Sequence, residues 1–510
     1  MKRLARDVLL MAAATAASRI LGLVRDVSIA DRFGAGVAYD AFLIAFFVPH
    51  FLRQLLAEGA LSTAMVPLYT ELHATAPGDG SSSDADGFAS NVISWLLLFF
   101  PVLVVAGVWL APMYVPFLAS GFDADKMALA VRLTRIVFPF IAVIGVSAVV
   151  MGVLTAHRRF FSASFAPVWF NVGMLVGILI LSGRLDPPIL GVALGVLLGG
   201  LAQLASQLPA LVRTGFRFRF HVVPIHPRIR DLLRLMGPAV LTLAVTQVNL
   251  MVDNKLASHL SDGGISALQY GMRLFQLPLG VLAVSVATAL LPRLSEAWAT
   301  GARDRYYNYI HEGIVATALV LLPAMVGLLA LGPDVVRLLF EHGSFTAADT
   351  VRTSHVLSFY LIGLVPYGWV YVLTRAAYAQ GRTRFPLFAA ALGTGVNVAL
   401  DLALIGTMGA AGLALATAIA GIGNALLLSA FVLRRRPLPW DRVRYLGWIA
   451  IGCGCLYALV WFTQRLLGER SQLVTVAVPI LVAVAFYAAF VRWSPLWHIL
   501  SDLRRPNRDA

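Results

Sequence analysis

Residues 88–112 of the chain read FASNVISWLLLFFPVLVVAGVWLAP, a stretch without a single charged side chain. A helix needs about 20 apolar residues to cross a bilayer, so this stretch by itself predicts a membrane-spanning helix. The whole chain of 510 residues is 59% apolar and 13% charged, with a mean hydropathy of +0.80. Soluble domains are about 45–50% apolar and about 25% charged. The composition therefore excludes a disordered chain, argues against a water-soluble enzyme, and indicates an all-α, polytopic membrane protein.

Apolar runs separated by polar residues, glycine or proline predict about fourteen spans. Their approximate limits are 8–30, 39–57, 88–112, 130–155, 163–182, 188–211, 231–257, 266–291, 311–333, 354–379, 386–406, 411–433, 446–466 and 473–492. With the N-terminus in the cytoplasm, most arginines fall in cytoplasmic loops, as the positive-inside rule requires. This bias predicts two cytoplasmic termini and explains the net charge of +14 without nucleic acid. The alternative for the first span, a cleaved signal peptide, is disfavoured because the pattern continues through Arg19 and Arg25.

The two halves of the chain resemble each other. Thr63-Ala-Met-Val-Pro-Leu-Tyr-Thr-Glu71 matches Thr288-Ala-Leu-Leu-Pro-Arg-Leu-Ser-Glu296, and Asn171 matches Asn397 at nearly the same offset. Parallel repeats of this kind build transporters that alternate around a central site. We therefore predict an N-lobe of spans 1–6 (residues 1–215), a C-lobe of spans 7–12 (216–436), and two additional spans with a cytoplasmic tail (437–510).

Charges inside the spans are the informative residues, because each costs about 2.5–3.5 kcal/mol at the bilayer centre and is a functional candidate by default. One arginine guanidinium group can bind two phosphate oxygens at once. The arginines among these charged residues therefore predict an anionic, phosphate-bearing substrate. The alternative is that these residues reach the interface or pair with one another. The set comprises Arg19, Arg25, Asp26, Asp40, Arg53, Glu58 and Arg273.

A second set of oxygen-bearing side chains lies in later spans. Asp253 is in span seven, Asn397 and Asp401 are one turn apart in span eleven, and Thr417 is in span twelve. Such a set could hold a small coupling cation, sodium for example, or carry a proton. Two alternatives stay open: Asp253 could pair with Lys255, and Asp401 could lie at the periplasmic edge.

Enzymatic alternatives lack their motifs. The chain has no metalloprotease, phosphate-loop or nucleophile-elbow signature. Its triplets Asp84-Ala-Asp86 and Asp123-Ala-Asp125 could serve a metal-dependent transferase, but we interpret both as solvated loops. Cys453 and Cys455 are too few for a disulfide scaffold or a cysteine metal site.

Five motifs stand out in the first seventy residues: Ser18-Arg-Ile-Leu-Gly-Leu-Val-Arg-Asp26, Phe33-Gly-Ala-Gly36, Asp40-Ala-Phe42, Ala57-Glu-Gly-Ala60 and Val66-Pro67. With these motifs the chain resembles a known family, the MurJ (MviN) lipid II flippases of the multidrug/oligosaccharidyl-lipid/polysaccharide exporter superfamily. Later motifs such as Phe340-Glu-His-Gly-Ser-Phe-Thr346 extend the similarity over essentially the whole chain.

This resemblance implies a transporter and not an enzyme. It would move undecaprenyl-diphosphate-linked peptidoglycan precursor (lipid II) from the cytoplasmic to the periplasmic leaflet of the inner membrane, by alternating access, for cell-wall synthesis. The implied substrate-binding residues are Ser18, Arg19, Arg25, Asp26, Asp40, Arg53, Glu58 and Arg273. The implied sodium or proton site is Asp253, Asn397, Asp401 and Thr417. No cofactor is expected beyond such a cation or the membrane potential, and the partners expected are membrane lipids and the cell-wall synthesis machinery, with a monomeric carrier.

One position departs from the family pattern. Family members often carry an acidic residue in the turn after span ten, where this chain has Arg382. A gating ion pair carried over from that turn is therefore not expected here.

The rival functions are a flippase for another polyprenyl-linked oligosaccharide and, from the same superfamily, a multidrug or cation antiporter. The antiporter would need an acidic, aromatic cavity, whereas the N-lobe here is rich in arginine.

Overall fold

The computed structural model describes residues 2–54, 60–74, 83–434, 436–468 and 470–497. Within these ranges every regular element is a helix and no strand occurs. The chain forms two compact units, Met1–Gly263 and Gly264–Ala510, each of which is described by itself below.

The described residues of the first unit form nine α-helices, and a π-helical turn at Gly177–Leu181 extends the seventh. They are α1 (Lys2–Phe33), α2 (Val37–Arg53), α3 (Ala60–Ala74), α4 (Ser83–Leu118), α5 (Ala124–Val137), α6 (Phe140–Ala156), α7 (Phe160–Val176), α8 (Leu190–Val212) and α9 (Arg228–Ala257).

The second unit contains nine further helices in its described residues, and a π-helical turn at Leu279–Ala283 joins the first two. They are α10 (Gly264–Pro278), α11 (Val284–Ala299), α12 (Arg303–Phe340), α13 (Ala347–Ile362), α14 (Leu364–Ala379), α15 (Arg384–Met408), α16 (Ala410–Val432), α17 (Trp440–Leu467) and α18 (Gln472–Trp493). Helices α17 and α18 pack against each other and against α12.

Ten helices in the described residues are long and apolar enough to cross a membrane, or eleven when α13 and α14, bent by 42°, count as one span. The protein is therefore a multi-pass membrane protein. Predicted span four corresponds to α5 and α6, which are separated at Phe138 and Pro139. Span eight is α10 and α11, continuous through the π-helical turn, and span ten is the bent pair α13 and α14. Helices α2 and α3 have 17 and 15 residues within the described ranges. The count of fourteen spans stays a prediction.

Small residues position α7 in the first unit. A Cβ atom added to Gly173 of α7 would lie 2.3 Å from the Cα atom of Gly199, and one added to Gly195 would lie 3.0 Å from the Cα atom of Gly177. Such small residues at four-residue spacing allow two helix backbones to approach closely. Helix α7 is thereby held against α8, and its other side packs against α1.

Helix α9, which follows the arginine-rich connection of residues 213–227, belongs with the first unit in this structure. Helix α9 packs against α3 and α4, and the first unit ends at Gly263 in the chain. The lobe boundaries at 215/216 and 436/437 stay predictions.

Candidate functional site

Arg25 is held inside the first unit by two side chains. Its Nε and Nη2 atoms donate to Asp26 Oδ1 at 3.0 and 2.7 Å, and its Nη1 atom donates to Asn171 Oδ1 at 3.0 Å. The Met174 sulfur lies 3.8 Å from the same Nη1 atom. The Arg25 side chain is only 12% exposed. Internal pairing, the alternative left open for the arginines, thus occurs here, and it fixes the direction of the guanidinium group.

Asn171 has its amide oriented by its other neighbours. Its Nδ2 atom donates to the backbone oxygens of Ser18 and Pro167 at 3.2 and 3.3 Å, and Ser18 Oγ lies 3.5 Å away. Because backbone oxygens only accept hydrogen bonds, the NH2 group must face them and the carbonyl must face Arg25. The sequence singled out Asn171 only as part of the internal repeat, so its contact with Arg25 was missed.

Arg53 reaches the same helix. It is the last residue of α2, is half-buried, and places its guanidinium carbon 5.7 Å from the centroid of the Phe170 ring. This distance is within the range of a cation–π contact. Arg25 and Arg53 therefore contact consecutive residues of α7, Asn171 and Phe170.

The other predicted phosphate-binding residues are placed differently. Arg19 is exposed on α1, and Arg273 is half-buried on α10 in the second unit. Glu58 lies outside the described residues. Arg382, the departure from the family pattern, is exposed and lies 5.4 Å from the centroid of the Phe431 ring.

Asp40 belongs to a separate cluster at the start of α2. Lys126 Nζ lies 2.9 Å from Asp40 Oδ2 and 2.9 Å from Asp262 Oδ1, and the backbone N–H of Gly263 donates to Asp40 Oδ2 at 2.8 Å. Asp40 and Lys126 are both buried, whereas Asp262 is exposed. This cluster joins α2, α5 and the loop after α9. The sequence analysis did not select Lys126 or Asp262.

The interpretation of the Asp-x-Asp triplets as solvated loops is wrong for Asp86, whereas Asp84, Asp123 and Asp125 are exposed. Asp123 caps α5 by accepting a hydrogen bond from the Lys126 backbone N–H at 2.8 Å. Asp86 is buried in the first turn of α4, where its Oδ1 atom accepts from Tyr69 Oη at 2.9 Å. Tyr69 Oη also lies 3.1 Å from His157 Nε2. Short polar triplets look solvated in a sequence, but helix starts supply backbone donors that carboxylates satisfy.

The predicted cation ligands fall in two groups. In the second unit, Asn397 Nδ2 donates to Asp401 Oδ2 at 2.5 Å on α15, and both residues are buried together with Thr417 of α16. Asp401 is fully buried among its neighbours. In the first unit, Asp253 accepts from Asn249 at 3.2 Å on α9.

The alternative partner of Asp253, Lys255, lies with its ammonium 4.3 Å from the centroid of the Phe117 ring. The described residues contain no cluster of three or more His, Cys, Asp or Glu suited to a metal ion. The donor chemistry of Asn397, Asp401 and Thr417 is hard oxygen, which fits a sodium ion better than a transition metal.

Comparisons with known proteins find matches that cover most of the chain. The family profile described as "Lipid II flippase MurJ" matches residues 29–502. The "Probable lipid II flippase MurJ" of Vibrio cholerae is 35% identical over 434 residues, which cover 84% of this chain and 82% of that protein. The "Lipid II flippase MurJ" of Burkholderia cenocepacia is 32% identical over 432 residues, covering 83% and 82%.

Solved structures show the same architecture. One titled "Lipid II flippase MurJ, inward closed conformation" has a TM-score of 0.82 and 29% identity, covering 98% of this chain and 100% of that chain. An inward-facing multidrug resistance MATE family transporter of the MOP superfamily has a TM-score of 0.66 at 15% identity, covering 87% and 99%. The second likeness concerns the fold alone. On the extent of the profile match and of the relatives' identity, the chain belongs to the MurJ lipid II flippase family, which consists of transporters and not of enzymes.

Proposed function

We propose that this chain moves lipid II from the cytoplasmic to the periplasmic leaflet of the inner membrane by alternating access. The observation that carries the proposal is the oriented guanidinium group of Arg25 inside the first unit of a chain of this family. Asp26 and Asn171 take three of its five N–H groups and Met174 makes a weak fourth contact, so a further donor is left for a phosphate oxygen. A phosphate oxygen of the lipid diphosphate is a suitable acceptor for this remaining charged donor.

The remaining predicted residues extend this role. Arg53 lies beside Phe170, next to Asn171, and supplies a second cation in the first unit. Arg19 and Arg273 are assigned the same chemistry toward the head group, and Ser18 supports it through Asn171. Asp40 has another role in this proposal: paired with Lys126, it holds α2 to α5 and to the loop after α9 in one state of the cycle. Passage of the substrate then requires the Asp40–Lys126 ion pair to break and to be replaced by other contacts.

A coupling cation or the membrane potential drives the return step in this proposal. In the second unit the oxygen-bearing residues Asn397, Asp401 and Thr417 are the candidate ligands for sodium or the candidate proton carriers. In the first unit Asp253 is a candidate for the same chemistry. One elementary charge that crosses a potential of about 100 mV supplies about 2.3 kcal/mol, which is enough to bias the cycle.

The proposed topology has fourteen spans with both termini in the cytoplasm. The excess of arginine in the loops then on the cytoplasmic side supports this orientation. We propose a monomeric carrier, which associates with the enzymes that make and use its lipid substrate.

The proposal is tested by complementation of a strain depleted of its own lipid II flippase, with lipid II exposure measured by a periplasmic probe. Wild type, Arg25→Ala and Arg53→Ala are compared at matched membrane levels, with Ser28→Ala as control because Ser28 bonds only its own helix, at Val24. We expect rescue by wild type and by the control, and none by the arginine variants. Rescue by every variant would remove the arginines from the site. A lack of rescue by well-inserted wild type would indicate another polyprenyl-linked substrate.

A further inference from the structure

The basic connection between α8 and α9 lies along the start of α4. We call residues 213–227 the strap. The backbone N–H groups of Arg217, Arg219 and His221 donate to α4 side chains, namely to Asp86 Oδ2 at 3.3 Å, to Ser90 Oγ at 3.2 Å and to Ser94 Oγ at 3.1 Å. Alternate donors of an extended chain are about 6.6 Å apart, and helix positions four residues apart are separated by about 6 Å. The spacings match, so this part of the strap is extended and runs parallel to α4.

The strap turns back beside Asn91. The Asn91 Nδ2 atom donates to the backbone oxygens of His221 and Pro224 at 3.0 and 3.3 Å, and its Oδ1 atom accepts from the His226 N–H at 3.0 Å. His226 Nε2 then lies 3.2 Å from Asp84 Oδ1. The strap therefore descends along α4 to the level of Ser94, turns, and returns to the level of Asp84.

The turn lies at the level where the exposed face of α4 becomes apolar. Trp95 is 39% exposed and directly follows Ser94, and from there the exposed face of α4 is apolar, with Leu97, Leu98 and Phe99. Tryptophan is enriched at the boundary between membrane and water. The tip of the strap is thus level with this boundary.

The side chains of the strap are those expected at the boundary between membrane and water. Phe220, Val223 and Ile225 are 59%, 81% and 57% exposed, and Arg213, Arg217 and Arg219 are exposed as well. Non-helical backbone is tolerated near hydrocarbon only where its polar groups are paired. The α4 side chains provide this pairing, because Ser90, Asn91 and Ser94 are fully buried beneath the strap.

We propose that the strap is an interfacial anchor for the anionic phospholipids of the leaflet that it faces. Phe220, Val223 and Ile225 insert between acyl chains, and the three arginines bind the lipid phosphates. The charge supports this occupant, since basic segments beside apolar side chains are attracted to anionic leaflets. With the N-terminus in the cytoplasm this leaflet is the cytoplasmic one.

The test places a spin label at Val223→Cys in the full-length protein, in which Cys453 and Cys455 are first replaced by alanine. A label at Thr383→Cys is the control, because Thr383 is exposed in the loop before α15. Both proteins are studied in nanodiscs of phosphatidylcholine with or without phosphatidylglycerol. Collision rates with oxygen, which concentrates in lipid, and with a water-soluble nickel chelate measure the depth of the label.

We expect the Val223 label to collide several-fold more with oxygen than with nickel, relative to the Thr383 label, and to lie deeper when phosphatidylglycerol is present. The double change Arg217→Gln/Arg219→Gln is expected to remove the dependence on phosphatidylglycerol. Equal nickel access at both labelled sites would overturn the anchor. A depth that is indifferent to anionic lipid and to the arginines would overturn the choice of lipid. Neither result depends on whether the chain transports lipid II.

Discussion

Arg25 of α1 and Asn171 of α7 meet through a hydrogen bond of 3.0 Å between residues 146 positions apart in the chain. The bond is oriented from both sides, because Asp26 holds the other edge of the guanidinium group and the backbone oxygens of Ser18 and Pro167 hold the amide. The close packing of α7 on α8 at Gly173 keeps Asn171 at this distance. The orientation of the Arg25 guanidinium group thus depends on how the helices pack and not on Arg25 alone.

The first prediction concerns Asn171→Ala. The change removes the acceptor from Arg25 and leaves the guanidinium group free to rotate toward Asp26, so we expect binding of the diphosphate head group to weaken roughly tenfold, about 1.4 kcal/mol. Binding of a soluble head-group analogue to the purified protein measures this. Ser28→Ala, on the same helix as Arg25, is the matched control. Unchanged analogue binding in Asn171→Ala would remove Asn171 from the positioning of Arg25.

The second prediction concerns the buried pair of Lys126 and Asp40. Lys126→Ala leaves the Asp40 carboxylate buried beside the Gly263 N–H, and removal of one member of a buried pair costs about 3–5 kcal/mol. We expect a clearly lower melting temperature in detergent, and a partial recovery in Lys126→Ala/Asp40→Asn, where no buried charge is left. Asp262→Asn is the control, since Asp262 is exposed and the expected cost is below about 1 kcal/mol. Equal effects of Lys126→Ala and Asp262→Asn would contradict the burial argument.

The third prediction concerns Asp401→Asn in the second unit. The change removes the carboxylate that accepts from Asn397, so we expect the dependence of transport on sodium or on a proton gradient to be lost while substrate binding persists. Transport into proteoliposomes with imposed ion gradients measures it. Thr407→Ala lies on the same helix, and its hydroxyl bonds only the Leu404 backbone oxygen, so it serves as control. An ion dependence in Asp401→Asn equal to that of the control would exclude the site.

Apolar length and small-residue spacing are local properties, which is why much of the fold is predictable from sequence. The predicted span 411–433 corresponds to α16, Ala410–Val432, and the predicted span 473–492 to α18, Gln472–Trp493. Breaks inside spans are less visible. Proline occurs within intact helices such as α4 and also at the break between α5 and α6, so its presence does not distinguish the two cases.

Contacts between residues that are far apart in the chain cannot be predicted from a local sequence pattern. Asp40 is recognisable as an intramembrane charge, but its partner Lys126 lies 86 positions later, in a segment interpreted from sequence as a solvated loop before span four. Likewise, Asp86 looks like a loop carboxylate until Tyr69 and the Arg217 N–H are placed on it. The residue types show where a charge has a high free-energy cost in the membrane. The partner that compensates for this cost depends on which helices become neighbours.

The last prediction concerns pH and the imidazole of His157, which follows α6. Burial, and then the nearby His73, lower the pKa of His157 below its usual value of 6.5, outweighing the carboxylate of Asp86. The unfolded chain therefore binds a proton here at a higher pH than the folded protein does, so stability falls as the pH drops below about 6.5. We expect a lower melting temperature at about pH 5.5 than at about pH 7.5, and a smaller difference in His157→Asn. Tyr69→Phe, which removes the phenol beside Nε2 but keeps the imidazole, is expected to retain the pH dependence. If His157→Asn kept the full difference, the dependence would have to arise from another group.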